Sequence, residues 1–202
     1  MKLILITSPT YFTEEAILIN SMFDAGLDTL HLRKPDSNLE MYEQLLIQID
    51  RQWLDRIVIH EHFSLKEKHS LKGIHLNKRN PNIPENYTGH VSCSCHSIDE
   101  IKAWKNKYNY VFLSPIFNSI SKTGYLSKFS EQDLIQAKQE GIIDHKIIAL
   151  GGIDIANISR VKSYGFGGAA IMGGLWSQLG HDIPKDIYTA TNYLKKLYKS
   201  LY

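Results

Sequence analysis

The residues of this chain best suited to chemistry are cations, hydroxyls and glycines, and they recur in short groups. Arg33 and Lys34 are adjacent; a guanidinium grips phosphate oxygens bidentately and an ammonium adds a point charge. Ser119, Ser121 and Lys122 set two hydroxyl donors and a cation within one polar loop, a set that suits a second phosphate or a pyrophosphate. Gly151-Gly152 and Gly173-Gly174 each close a short apolar run. With no Cβ in the way, such turns leave backbone N–H groups bare, and bare N–H groups beside a helix start bind anions, usually phosphate. A single Gly-Gly pair is accounted for by a tight turn or helix–strand packing. Two in register favour phosphate.

Histidines form a second group. His60, Glu61, His62, His75 and His96 permit a metal reading, since zinc takes three such ligands and a water. No HExxH or paired-cysteine spacing accompanies them. A lone histidine is more often a hydrogen-bonded core or rim residue. Cys93 and Cys95 are the chain's two cysteines. Two apart on a strand, they point to one face, where a disulfide between them would be strained. They read as two buried thiols in a reducing cytosol.

The elements that must position these groups alternate regularly. Apolar runs at Leu3–Thr7, Asp28–Arg33, Arg56–His60, Lys72–Leu76, Gly89–Ser94, Tyr110–Leu113, Ile147–Leu150 and Gly168–Met172 predict strands. Helical periodicity predicts helices over Phe12–Ala25, Leu39–Ile49, Ile98–Lys107, Glu131–Glu140, Asp154–Tyr164 and Ile183–Tyr198, with a short one in Phe63–Ser70. Ser37 or Asn38 caps the second helix, and Ser97 with Glu100 reads as a capping box. The two prolines between Asn77 and Tyr87 leave room for at most a turn of helix. Short continuous apolar strands alternating with helices call for a parallel sheet covered by helices. Eight such units, with phosphate at the last two, favour a closed (β/α)8 TIM barrel over a doubly wound open sheet. The expected fold class is therefore α/β, one small (β/α)8 barrel domain over residues 1–202 with some shortened helices. Alternation places His31 and Arg33 on one side of their strand.

Composition bounds the partners. A formal charge of +2 with no long Lys/Arg run gives little support for nucleic acid. No apolar run approaches the roughly 18 residues of a membrane span. Met1-Lys2 leads straight into LILITS, too short for a secretory h-region, so a cytoplasmic protein is expected.

Taken in order, the motifs resemble the thiamine phosphate synthase and thiazole tautomerase family. Ser114–Lys122 is similar to that family's Gly-Pro-x-Phe-x-Thr-x-Thr-Lys loop, and Ala149–Ile153 and Ala169–Leu175 to its two phosphate strands. Gly73–Leu76 and Ser94-x-His96 match in place, and His31-Leu32-Arg33 stands where the family has Gln-x-Arg-x-Lys. The resemblance implies a transferase that joins hydroxymethylpyrimidine diphosphate to a thiazole phosphate and releases pyrophosphate, with Mg²⁺ as cofactor. By that resemblance Arg33, Lys34, Ser119, Ser121 and Lys122 hold pyrophosphate. His31, Ser94, His96, Gly151, Gly152, Gly173 and Gly174 bind substrate, and Glu61 takes the metal. The family Lys falls on Pro35, with Lys34 as its substitute, and the second family Asp falls on Asn80. The resemblance also implies a possible homodimer. Two alternatives stay open: a thiazole tautomerase working through another histidine (Pro115 stands where that branch has its own), and a non-catalytic binder of thiamine or thiazole phosphate.

Overall fold

A computed structural model describes residues 1–118, 126–180 and 183–201. Eight parallel strands close into a barrel in sequence order: β1 (Lys2–Ile6), β2 (Thr29–Leu32), β3 (Ile57–Ile59), β4 (Gly73–Leu76), β5 (His90–Cys95), β6 (Tyr110–Leu113), β7 (Ile147–Leu150) and β8 (Gly168–Ile171). β8 pairs with β1 through Lys2↔Gly168 and Leu5↔Ile171, which leaves no edge strand. The strands expected from the sequence all form, with no end displaced by more than one residue.

The helices are α1 (Glu15–Asp24), α2 (Leu39–Gln48), α3 (Leu65–Lys68), α4 (Ile98–Trp104), α5 (Glu131–Gln139), α6 (Ile158–Ser163), α7 (Gly173–Trp176) and α8 (Ile183–Leu201). Between β4 and β5 the chain crosses without a helix. Of the two candidate caps of α2, Asn38 fills the role, accepting the Met41 N–H at 2.8 Å. Ser97 caps α4, but Glu100 reaches back to the His96 N–H rather than to Ser97, so the expected box is only half closed. A complete box forms at Ser130 and Asp133 instead, where side chain and backbone exchange hydrogen bonds at 3.2 and 2.8 Å.

Two apolar layers result. Leu3, Leu5, Leu30, Leu32, Ile57 and Ile59 point outward and pack under the helices, with Cys93 and Cys95 as free buried thiols in the same layer. Inside the barrel, Ile4, Ile6, Phe112, Ile148 and Ala170 fill one half. Strands β2 to β5 fill the other half with His31, His60, His75 and Ser92, all buried. The polar half supports the mouth.

Candidate active site

The mouth is built from the segments at the C-terminal ends of the strands. Arg33 follows β2 directly and is fixed by Thr7, whose hydroxyl accepts the Arg33 N–H at 3.0 Å and donates to its carbonyl at 3.0 Å. Its guanidinium is half-buried, and no acceptor holds it among the described residues. Burial, then the positive charge of Arg79, lowers its pKa from the usual arginine value; Glu61 and Asp36 act in the opposite sense.

Glu61 lies just past β3 and is buried. Both of its oxygens are engaged: Oε1 receives Arg79 Nη2 at 2.9 Å and Oε2 receives the Lys34 backbone N–H at 3.1 Å. Lys34 itself is turned into the structure. Its ammonium is fully buried, donating to both oxygens of Glu15 at 2.7 Å and to the Thr10 carbonyl at 2.9 Å. The ammonium expected to stand in for the family lysine is thus directed at Glu15 and the Thr10 carbonyl.

Below the mouth, closure of the barrel brings His31, His60 and His75 within 4.8 Å of one another. His62 is not among them, because its Nε2 donates to the Ser37 carbonyl at 2.8 Å. Nor is His96, which is exposed and directs Nδ1 at the Ser114 carbonyl at 3.0 Å. Sequence reasoning leaves His31 out of this trio, although its position two residues before Arg33 sets it on the inward face. Each of the three is hydrogen-bonded, and their rings pack against one another. His31 Nδ1 meets His60 Nε2 at 2.9 Å and His31 Nε2 meets the Tyr110 hydroxyl. His75 lies between Ser92 Oγ at 2.8 Å and Ser94 Oγ at 2.9 Å. The His60 and His75 rings are stacked at 4.3 Å and 23°, so their in-plane lone pairs run side by side rather than converge on an ion. Burial, before any neighbouring charge, holds His31 and His60 well below the ordinary histidine pKa and His75 down to about 3. All three are neutral at physiological pH.

Across the mouth, Gly151 and Gly152 adopt φ of 98° and 64°. A Cβ on Gly152 would stand 2.2 Å from the Asn118 carbonyl oxygen, and one on Gly151 2.8 Å from Pro115. The backbone from Pro115 to Asn118 therefore lies directly on this turn, tied by Ile116 N–H to Leu150 O and Phe117 N–H to Gly151 O. Gly173 and Gly174 open α7. A Cβ on Gly174 would come within 2.7 Å of the Ile153 carbonyl oxygen, so the two glycine turns adjoin. Ser119, Ser121 and Lys122 lie outside the described residues.

Known proteins point the same way. Residues 3–175 match the family described as thiamine monophosphate synthase. The chain is 27% identical to a thiamine-phosphate synthase of Serratia proteamaculans, over 76% of either chain. It is 26% identical to that of Photorhabdus laumondii, over 76% of this chain and 75% of the relative. Among solved structures, a thiamine phosphate pyrophosphorylase from Bacteroides thetaiotaomicron superposes with a TM-score of 0.91 at 46% identity, covering 99% of this chain and 97% of that one. A Pyrococcus furiosus structure at 18% identity and a TM-score of 0.73 shares the fold. With a sequence match across the barrel and a near-complete superposition, this chain belongs to the thiamine monophosphate synthase family.

Proposed function

We propose that the chain is a thiamine-phosphate synthase, a transferase that joins hydroxymethylpyrimidine diphosphate to thiazole phosphate. The methylene C–O bond breaks with its electron pair leaving on pyrophosphate, and the thiazole ring nitrogen supplies the pair that forms the new C–N bond. The observation that carries this reading is the division of the mouth. On one side stands Arg33, half-buried and without an acceptor among the described residues. On the other side two glycine turns, each too close to neighbouring backbone to admit a Cβ, adjoin at the ends of β7 and β8, the place where a barrel of this kind characteristically holds phosphate. A reaction of this kind needs alignment and charge neutralisation more than covalent help. Arg33, with Ser119, Ser121 and Lys122 by family resemblance, holds pyrophosphate. Gly152, Gly173 and Gly174 hold the thiazole phosphate through N–H groups. The neutral imidazoles and Ser94 form a floor that donates and accepts hydrogen bonds without adding charge.

The resemblance also implies Mg²⁺ on Glu61, and the residues there do not fit that ion. Mg²⁺ demands an octahedral set of oxygens at about 2.1 Å, usually including one or two carboxylates. Glu61 already carries a guanidinium on one oxygen and an N–H on the other. The Asn80 amide group donates to the His60 carbonyl at 2.9 Å. Arg79 on Glu61, and Arg33 near enough to feel its charge, both oppose a dication here.

Incubation of the purified chain with both precursors tests the proposal. Thiamine phosphate and pyrophosphate should appear in equal amounts, and Arg33→Ala should slow their formation about 100-fold with its melting temperature preserved. Melting shifts with thiamine phosphate but no product from either precursor pair would leave a binding protein in its place.

A further inference from the structure

The turn after β4 is built to hold one side chain. Asn77 Oδ1 accepts the N–H groups of Arg79 at 2.9 Å and Asn80 at 3.2 Å, and the Asn77 and Asn80 backbones exchange hydrogen bonds at 3.1 Å in both directions. The amide groups of both asparagines donate to the His60 carbonyl, at 3.1 and 2.9 Å. The turn is thus fastened to the end of β3, one residue before Glu61. Arg79 reaches from it with Nη2 on Glu61 Oε1, while its side chain stays 43% exposed and its other guanidinium donors have no hydrogen-bond partner among the described residues. Arg33 stands close enough for its charge and that of Arg79 to repel. The mouth therefore holds two guanidiniums around one buried carboxylate, with Asp36, exposed on the turn after Arg33, as the other negative group near them. Such a set offers guanidinium donors to an entering oxyanion. Its forks match the paired oxygens of a phosphoryl group.

We infer that Arg79, bracketed by Glu61, supplies as a fixed side chain the positive charge that stabilises departing pyrophosphate, so that this chain binds and releases pyrophosphate without a divalent metal. The inference rests on the synthase reading for its substrate, but its central claim concerns pyrophosphate itself. Glu61 serves as a positioning residue, which orients Arg79 and the Lys34 N–H rather than coordinating an ion.

Two measurements test it on the full chain. Calorimetric titration with pyrophosphate in EDTA should show binding to the wild type, weakened about 10- to 100-fold in Arg79→Ala and in Arg33→Ala. Glu61→Gln, which leaves one acceptor oxygen for two donors and turns an amide N–H against the other, should weaken metal-free binding, but by no more than Arg79→Ala does. In turnover assays, the metal-stripped wild type should keep its rate within about two-fold. Arg79→Ala should lose it and regain part of it with millimolar Mg²⁺, because Glu61 is then uncovered. No pyrophosphate binding until Mg²⁺ is added would overturn the inference and leave the synthase reading standing. Metal-free pyrophosphate binding without product from the two precursors would remove the synthase reading and leave the inference standing.

Discussion

Lys34 and Glu15 form an ion pair 2.7 Å long with side chains 0% and 2% exposed, and the Tyr11 ring covers the ammonium at 4.6 Å. Burial drives the lysine pKa down and the glutamate pKa up, and their mutual attraction opposes both shifts. The pair joins the start of α1 to the end of β2. It therefore holds the backbone whose Lys34 N–H meets Glu61.

Removing one partner of this pair should destabilise the barrel strongly. Glu15→Ala strands a buried ammonium and is expected to cost about 3–5 kcal/mol, whereas Glu15→Leu combined with Lys34→Met should fall near wild type. Urea unfolding followed by circular dichroism reads both. A Glu15→Ala protein as stable as wild type would show that the ammonium finds water.

His90 should make the fold sensitive to mild acid. Burial first, then the charges of Lys72 and Lys2, hold its pKa down to about 4 against an ordinary 6.5. The unfolded chain takes up a proton below pH 6.5 that the folded chain refuses until about pH 4. Stability is present above that window and is lost as pH falls through it, at about one proton for this residue. His90→Phe also removes a buried ring nitrogen that lacks a partner among the described residues. It should therefore raise the melting temperature more at pH 5 than at pH 8; an equal change at both would refute the assignment.

Tyr110→Phe tests the network under the mouth. Loss of the hydroxyl leaves His31 Nε2 buried without its partner, at an expected cost of about 1–3 kcal/mol. Denaturant unfolding gives the stability. The ring nitrogen shifts of His31 report whether its tautomer changes, and unchanged shifts would mean that Tyr110 does not set it.

Gly152→Ala combines two faults. A residue other than glycine is disfavoured at φ 64°, and its Cβ would collide with the Asn118 carbonyl 2.2 Å away. The segment from Pro115 to Asn118 must lift, so stability should drop by about 2 kcal/mol or more. Affinity for thiazole phosphate, measured by calorimetry, should fall with it. An alanine variant with full affinity would separate the turn from the anion site.

The sequence alone determined the alternation of eight strands with helices, the closed barrel, the two glycine turns at its last strands and the one side of a strand shared by His31 and Arg33. Those features arise from periodicity and from glycine geometry, which are local properties of the chain. Partners across the barrel were decided only by the tertiary structure. Lys34 and Arg33 are neighbours in sequence, yet one enters a buried pair with a residue 19 positions earlier and the other opens to the mouth. Arg79 meets Glu61 because the asparagine turn after β4 is fastened to β3. The histidines that come together stand on β2, just past β3 and on β4, and spacing shows which face each occupies without showing which nitrogen meets which neighbour. Strand pattern depends on each side chain's own backbone; ion pairs and hydrogen bonds depend on closure, which sets distant strands side by side at distances that no single segment encodes.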